Sequence, residues 1–339
     1  MKKNLIFAAT IAALAMFSCN KAENVVPVEE IPNVPQKIVT KAAGDKSPSI
    51  LCYVETNDVN PLNALCCRTE DGEPFIDYVV LFASNIHKTT VSSTTQPTLY
   101  FNDKLTPIMQ GSSTYIQPLR TAGQKVLLGV LGDWVNVGLS NMTTTQAEQF
   151  ATILAYAVST YNLDGVAFDD EYSGSNTVNS YSYSTIINKY RELRPNDIIH
   201  VFDWGGTSSI SSTAAAKINY AGHGYFGYSS YYYLPYSDSN ISGMTAGRWS
   251  PISLNLGNTY SSYALSQITS RTASAVSGGY GQILLFNLRK CDDVCARPVF
   301  QAIADGADWG TVYCSEVDEA QPAAVSGGYT ITYAMATAN

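Results

Sequence analysis

Residues 163–172 read Leu-Asp-Gly-Val-Ala-Phe-Asp-Asp-Glu-Tyr, an apolar run that ends in three consecutive acids. In a strand, alternate side chains share a face and advance about 6.6 Å per pair, so Asp169 and Glu171 point together while Asp170 points away. Two carboxyls on one face repel, and at least one should hold its proton to higher pH. A general acid needs that property. The spacing also restricts the mechanism. A glycosidase with a protein nucleophile sets its carboxyls on opposite sides of the scissile bond, which two neighbours on one strand do not do. They can instead serve one end of a sugar together. Glu171 protonates the leaving oxygen, and Asp169 holds the N–H of a 2-acetamido group whose carbonyl oxygen attacks C1 to form an oxazolinium. Asp169 then stabilises the positive charge. Acids after a strand also cap helices or ligate cations, but the strand context and the preceding Asp164-Gly165 favour chemistry.

The elements that must position this pair alternate along the chain. Candidate strands are Ile50–Val54, Tyr78–Ala83, Lys125–Leu131, Gly165–Asp169, Ile198–Phe202, Ile218–Gly222, Ser250–Leu254 and Gln282–Phe286. Each is a short run of the kind buried on both faces of a parallel sheet. Helices are expected between them, the strongest over Thr144–Tyr161. A Thr cap and Glu148 open it, and Ala147, Phe150, Ala151, Leu154 and Val158 recur at three- and four-residue spacing. Similar patterns cover Ser184–Leu193, Ala264–Val276 and Val299–Ala307. Eight strands with interleaved helices over roughly 260 residues suit a single-domain α/β fold, the (β/α)8 TIM barrel. A doubly wound open sheet is disfavoured because no Gly-x-Gly-x-x-Gly follows the first strand. A barrel demands catalytic residues at the C-terminal ends of its strands, where Asp169 and Glu171 fall.

Lys2 and Lys3, an apolar stretch from Leu5 to Phe17, and Ser18-Cys19 have the layout of a lipoprotein signal over residues 1–18, with Cys19 as the acylated residue. Ordinary cleavage releasing a soluble protein is the alternative. Residues 19–48 lack periodicity and read as a disordered tether, 49–310 as the catalytic barrel, and 311–339 as a tail with at most a closing hairpin. The expected location is the bacterial outer membrane or cell surface, with the periplasm or secretion as alternatives. The net charge of −8 argues against nucleic acid and anionic lipid surfaces, leaving the acyl anchor as the contact with membrane. Tyr-rich, charge-poor composition suits neutral polar ligands such as sugars. Of seven cysteines, Cys66 and Cys67 are adjacent and poorly placed to bond each other, while Cys291 and Cys295 form a local disulfide or stay as thiols. With three His and no second Cys-x-x-Cys, no metal site is expected, nor any cofactor. A monomer is expected.

At these residues the chain resembles glycoside hydrolase family 18. The family signature Asp-Gly-x-Asp-x-Asp-x-Glu is met by Asp164, Gly165, Asp169 and Glu171, with Ala167 in place of the first inner Asp. More closely, LDGVAFDDEYS (163–173), VETNDVNPL (54–62) and YVVLFASNI (78–86) are similar to the endo-β-N-acetylglucosaminidases of the endoglycosidase H and F type. Gly129–Gly132 and Phe286-Asn287-Leu288 resemble their third and eighth strands. The resemblance implies cleavage between the two core N-acetylglucosamines of N-linked, by default high-mannose, glycans. Glu171 would be the acid/base, Asp169 the oxazolinium partner, and Tyr225 a contact to the acetamido carbonyl. Gly224 stands where relatives tend to carry an acid. Tyr172, Trp134, Trp204, Asp203, Phe286 and Asn287 are candidate sugar contacts at strand ends. The Tyr228–Tyr236 loop is a candidate for mannose arms. A catalytically weak glycan-binding lipoprotein on the same barrel, or a chitinase-like hydrolase, are the other functions this sequence allows.

Overall fold

In a computed structural model, residues 46–174, 177–226, 233–289, 296–315 and 319–338 are described. The signal, Cys19 and nearly all of the tether lie outside them, as do Cys291, Cys295 and residues 227–232 of the Tyr-rich loop. The strands are β1 (Ser49–Glu55), β2 (Cys67–Arg68), β3 (Tyr78–Val91), β4 (Thr94–Phe101), β5 (Lys125–Gly132), β6 (Gly165–Asp169), β7 (Ile198–Asp203), β8 (Tyr220–His223), β9 (Trp249–Ser250), β10 (Ser253–Asn255), β11 (Gln282–Phe286), β12 (Tyr313–Cys314) and β13 (Tyr329–Ile331).

Parallel pairing runs β10-β11-β1-β3-β5-β6-β7-β8-β9. The expected strand Ser250–Leu254 is split into β9 and β10 because Pro251 has no N–H to give a ladder. The gap is bridged by other bonds. The Ile252 carbonyl accepts from Leu284 N–H at 3.0 Å, and the Pro251 carbonyl accepts from Leu234 N–H at 2.8 Å. Counting β9 and β10 as one stave, the ring has eight staves, the (β/α)8 architecture expected.

The period of two sorts each stave into two layers. Ile50, Cys52 and Val54 of β1 face the outer core with the helices, while Leu51 and Tyr53 join Tyr78, Val80, Leu127, Ala167, Phe202 and Leu284 inside the barrel. Full-length helices cover the outside at Thr144–Thr160, Ser182–Leu193, Ser262–Ser277 and Arg297–Ala307. These are the four that periodicity indicated. The first is capped by Thr143, with Gln146 completing a capping box in place of the expected Glu148, and all five of its apolar-spaced residues are buried.

Elsewhere the helical layer is irregular. Residues 105–121 form three short helices, parted at Gly111 and at Ile116, with Pro118 in the first turn of the third. β3 runs eight residues past the expected Ala83 and turns back through Ser92 and Ser93, both at positive φ, into β4. Two-residue hairpin turns of that hand are marked by Asn-Gly or Asp-Gly, and Ser-Ser carries no such mark. Among the described residues, the strands of the tail pair with other segments and not with each other. β12 pairs with β2, where Cys67 and Cys314 are joined by a disulfide, and β13 extends β4. The last tether residues are also engaged: Lys46 pairs with buried Asp77 at 3.2 Å, and Asp77 accepts the Ile50 N–H at 2.7 Å.

Asp164, ahead of β6, belongs to this frame and lies at the opposite end of the strand from the acids. Its carboxylate takes both Arg120 Nε (3.0 Å) and Nη2 (3.2 Å) and the Val126 N–H (3.0 Å). Asp164→Asn should lower unfolding free energy by about 1.5–3 kcal/mol, the scale of a hydrogen bond to a charged group. Denaturant titration measures it, and an unchanged midpoint would contradict this part for Asp164.

Candidate active site

β6 is buried along its whole length, and the chain leaves it with Asp170 and Glu171 at the C-terminal mouth of the barrel. Asp169 and Glu171 both line one cavity of about 410 Å³ there. Asp170 turns away and accepts the Gly206 N–H at 2.8 Å, fastening the loop after β7. That fastening requires glycine: a Cβ on Gly205, at φ +65°, would lie 2.0 Å from the Asp170 carbonyl oxygen. Gly132, ending β5, is likewise constrained, since its Cβ would stand 2.1 Å from the Glu171 carbonyl oxygen. The Trp134 N–H bonds to the Tyr172 carbonyl beside it. Backbone contacts on both sides therefore hold the acidic segment.

Asp169 is only 5% exposed. Burial, then the charges of Glu171, Asp170 and Glu55, raise its carboxyl well above the ordinary range. Burial also raises Glu171; a hydrogen bond from the Tyr172 side chain pulls back down, and Asp170 adds a smaller upward push. Glu55 reaches about 7 through burial and the Asp58 charge, against the pull of Arg289. Sequence reading missed Glu55. The expected first strand stopped at Val54, one residue short, although the row Leu51-Tyr53-Glu55 obeys the same alternation that selects Asp169 and Glu171.

The cavity is otherwise aromatic on its inner wall, with Tyr53, Phe82, Phe202, Phe226 and Phe286, and polar at Asn57, Asn85 and Asn102. Of the expected contacts, Tyr172, Trp204 and Phe286 line it. Trp134 does not, but its ring, 70% exposed, stands 5.5 Å from that of Tyr172 and extends the aromatic surface outward. Tyr225 lies outside the wall that Gly224 and Phe226 form; its ring meets Trp204 edge-on at 6.2 Å, and its N–H bonds to His223 Nδ1. Asp203 is buried and spends its carboxylate on Thr207, Ser239 and Asn240. Asn287 is buried as well, bonded to Asn255 and, through its N–H, to the Tyr53 carbonyl. Both shape the mouth from behind.

Gly224 has a local cause: a Cβ there would lie 2.6 Å from Phe202 Cζ and 3.0 Å from Trp204 Cε3. The aromatic wall occupies the space an acidic side chain would take. Among the described residues, no group of three or more His, Cys, Asp or Glu is disposed to hold a metal ion.

Comparison with known proteins adds to this geometry. No family model matches the chain. An endo-β-N-acetylglucosaminidase of a Flavobacterium species (strain SK1022) is 32% identical over 251 residues, covering 71% of this chain and 75% of that protein. Endo-β-N-acetylglucosaminidase F1 of Elizabethkingia meningoseptica is 30% identical over 210 residues, covering 58% and 61%. The crystal structure of Bacteroides thetaiotaomicron EndoBT-3987 with a Man9GlcNAc2Asn substrate is similar with a TM-score of 0.67 and 26% identity, over 81% of this chain and 72% of that one. The barrel, the acid pair at its mouth and this breadth of similarity agree: the chain belongs to the endo-β-N-acetylglucosaminidases.

Proposed function

We propose that the protein hydrolyses the β-1,4 bond between the two core N-acetylglucosamines of N-linked, high-mannose glycans by substrate-assisted retention. The observation that carries this reading is the placement of Asp169 and Glu171 on one wall of one cavity at the barrel mouth. Burial raises the Glu171 carboxyl, the direction a proton donor requires. It protonates the leaving oxygen as the C1–O bond breaks, while the acetamido oxygen of the substrate bonds to C1. Asp169, buried beside it, holds the acetamido N–H and balances the positive oxazolinium. Glu171, now a carboxylate, takes a proton from the water that opens the ring at C1, and both residues return to their starting states.

A volume of about 410 Å³ lies within the ~300–1,000 Å³ common for ligand sites, and the aromatic wall offers apolar faces for sugar rings. The similarity to an enzyme crystallised with Man9GlcNAc2Asn supports a high-mannose substrate. Trp134, Tyr172, Trp204 and Phe286 are the sugar contacts proposed, with Tyr225 at the rim. Attachment through an acylated Cys19 would place the enzyme at the outer membrane or cell surface; a Cys19→Ser chain that still labels with palmitate would refute it.

Wild type incubated with a high-mannose glycoprotein should leave a single N-acetylglucosamine on Asn. Glu171→Gln should lose at least the ~10²–10⁴ that acid catalysis contributes. Persistent turnover in that variant, or release of chitobiose from chitin with no action on glycoprotein, would refute the assignment. Asp169→Asn should abolish turnover yet stabilise the fold. A carboxyl whose folded pKa is raised favours the native state below about pH 4, and that contribution is lost as pH rises through the raised value. Thermal melting should therefore show little difference from wild type near pH 4 and a Tm advantage that grows as pH rises. Gly224→Asp should disturb Phe202 and raise KM more than it lowers kcat; unchanged kinetics would show that the wall yields.

A further inference from the structure

Asp133 and Trp134 open the loop after β5, and Trp134 adopts a φ of +53°. A left-handed backbone at a bulky residue persists only where its surroundings fix it. The acidic segment fixes one side. The Tyr172 carbonyl accepts the Trp134 N–H, and a Cβ on Gly174, at φ +71°, would stand 2.9 Å from the Trp134 carbonyl. The β3–β4 hairpin fixes the other side. His87 on β3 reaches across to Asp133, with Nε2 2.6 Å from Oδ2. A carboxylate only accepts, so Nε2 is the donor. Tyr100 on β4 stacks on the imidazole, with ring centroids 4.5 Å apart and planes 10° apart, and so sets its direction. Lower in the same seam, the Ser84 hydroxyl donates to the Gly129 carbonyl at 2.6 Å. Neither His87 nor Asp133 lines the cavity.

We propose that His87 is a positioning residue for glycan recognition: through Asp133 it holds Trp134 as a stacking face for a hexose of the mannose arms. The identity of that ligand rests on the hydrolase reading; the link from His87 to Trp134 does not. The Trp134 ring is 70% exposed and continues the aromatic surface of the cavity outward past Tyr172. An indole face suits the C–H face of a sugar ring, which it covers without taking away the sugar's hydrogen bonds. On the leaving side of the proposed bond there is a single N-acetylglucosamine, so a sugar met beyond the cavity comes from the branched mannose side. Bonds on both sides of Trp134 order the loop before the glycan arrives, which leaves less ordering for binding to offset.

The test uses two glycopeptides, one high-mannose and one trimmed to its trimannosyl core, and reads the ratio of their KM values. Trp134→Ala should raise KM for the high-mannose glycopeptide, relative to the trimmed one, about three- to tenfold, the scale of one stacked ring. His87→Ala should reproduce most of that shift, with KM moving more than kcat. In the Trp134→Ala background, His87→Ala should add less than about twofold, because its effect runs through a ring already removed. His87→Gln can place an amide N–H where Nε2 stands and should restore the wild-type ratio, while His87→Leu should not. Should His87→Ala fail to fold, Asp133→Ala cuts the same bond from the other strand. Additive effects of His87→Ala and Trp134→Ala, or equal shifts on both glycopeptides, would overturn the proposal. If wild type cleaves neither glycopeptide, the hydrolase reading falls, and titration calorimetry of the same pair decides the proposal separately. A high-mannose preference absent from wild type, or surviving intact in His87→Ala, would then overturn it.

Discussion

A carboxylate at the floor of an apolar barrel mouth is the constraint around which the rest of this structure is arranged. Removing a charge from water is costly unless the protein supplies hydrogen bonds or counter-charge. Among the described residues no cation stands beside Asp169, its side chain is almost wholly buried, and three further acids contribute to its field. Such a group survives only where the surrounding frame over-determines its position. The frame here is close backbone contact: β5 against the Glu171 carbonyl at Gly132, and the loop after β7 against Asp170 at Gly205.

That cost and the proposed chemistry have one origin. A low-dielectric wall that makes Asp169 hard to ionise also makes its charge effective against a nearby cation, because little water is left to screen it. Glu171, one step further out and half-buried, stays within reach of Tyr172 and of solvent. Two identical functional groups two residues apart thereby acquire different tasks from depth alone. The polar residues behind the mouth, Asp203 and Asn287, hold the loops that begin at Trp204 and just after Phe286.

Departures from the family signature have local explanations in packing. Gly224 is small because Phe202 and Trp204 fill the space beside it. Ala167 is small where His200 enters the barrel on the adjacent strand. In both places, what the residue string shows as a missing acid is, in three dimensions, an exchange of volume between neighbours far apart in sequence.

Much was legible from residue order. Alternation along Gly165–Asp169 is a local property of extended backbone, so the inward direction of Asp169 and Glu171 and the outward one of Asp170 followed without knowledge of the fold. The four long helices were legible for the same reason, since a 3.6-residue period is written in the segment itself. Only tertiary structure decided what depends on meeting partners: Glu55 from β1 beside Asp169, Tyr53 against His200, the Cys67–Cys314 bond, and the tail strand on β4. Each joins segments brought together by closure of the barrel, and closure is set by the sum of all strand pairings, which no single stretch of sequence contains.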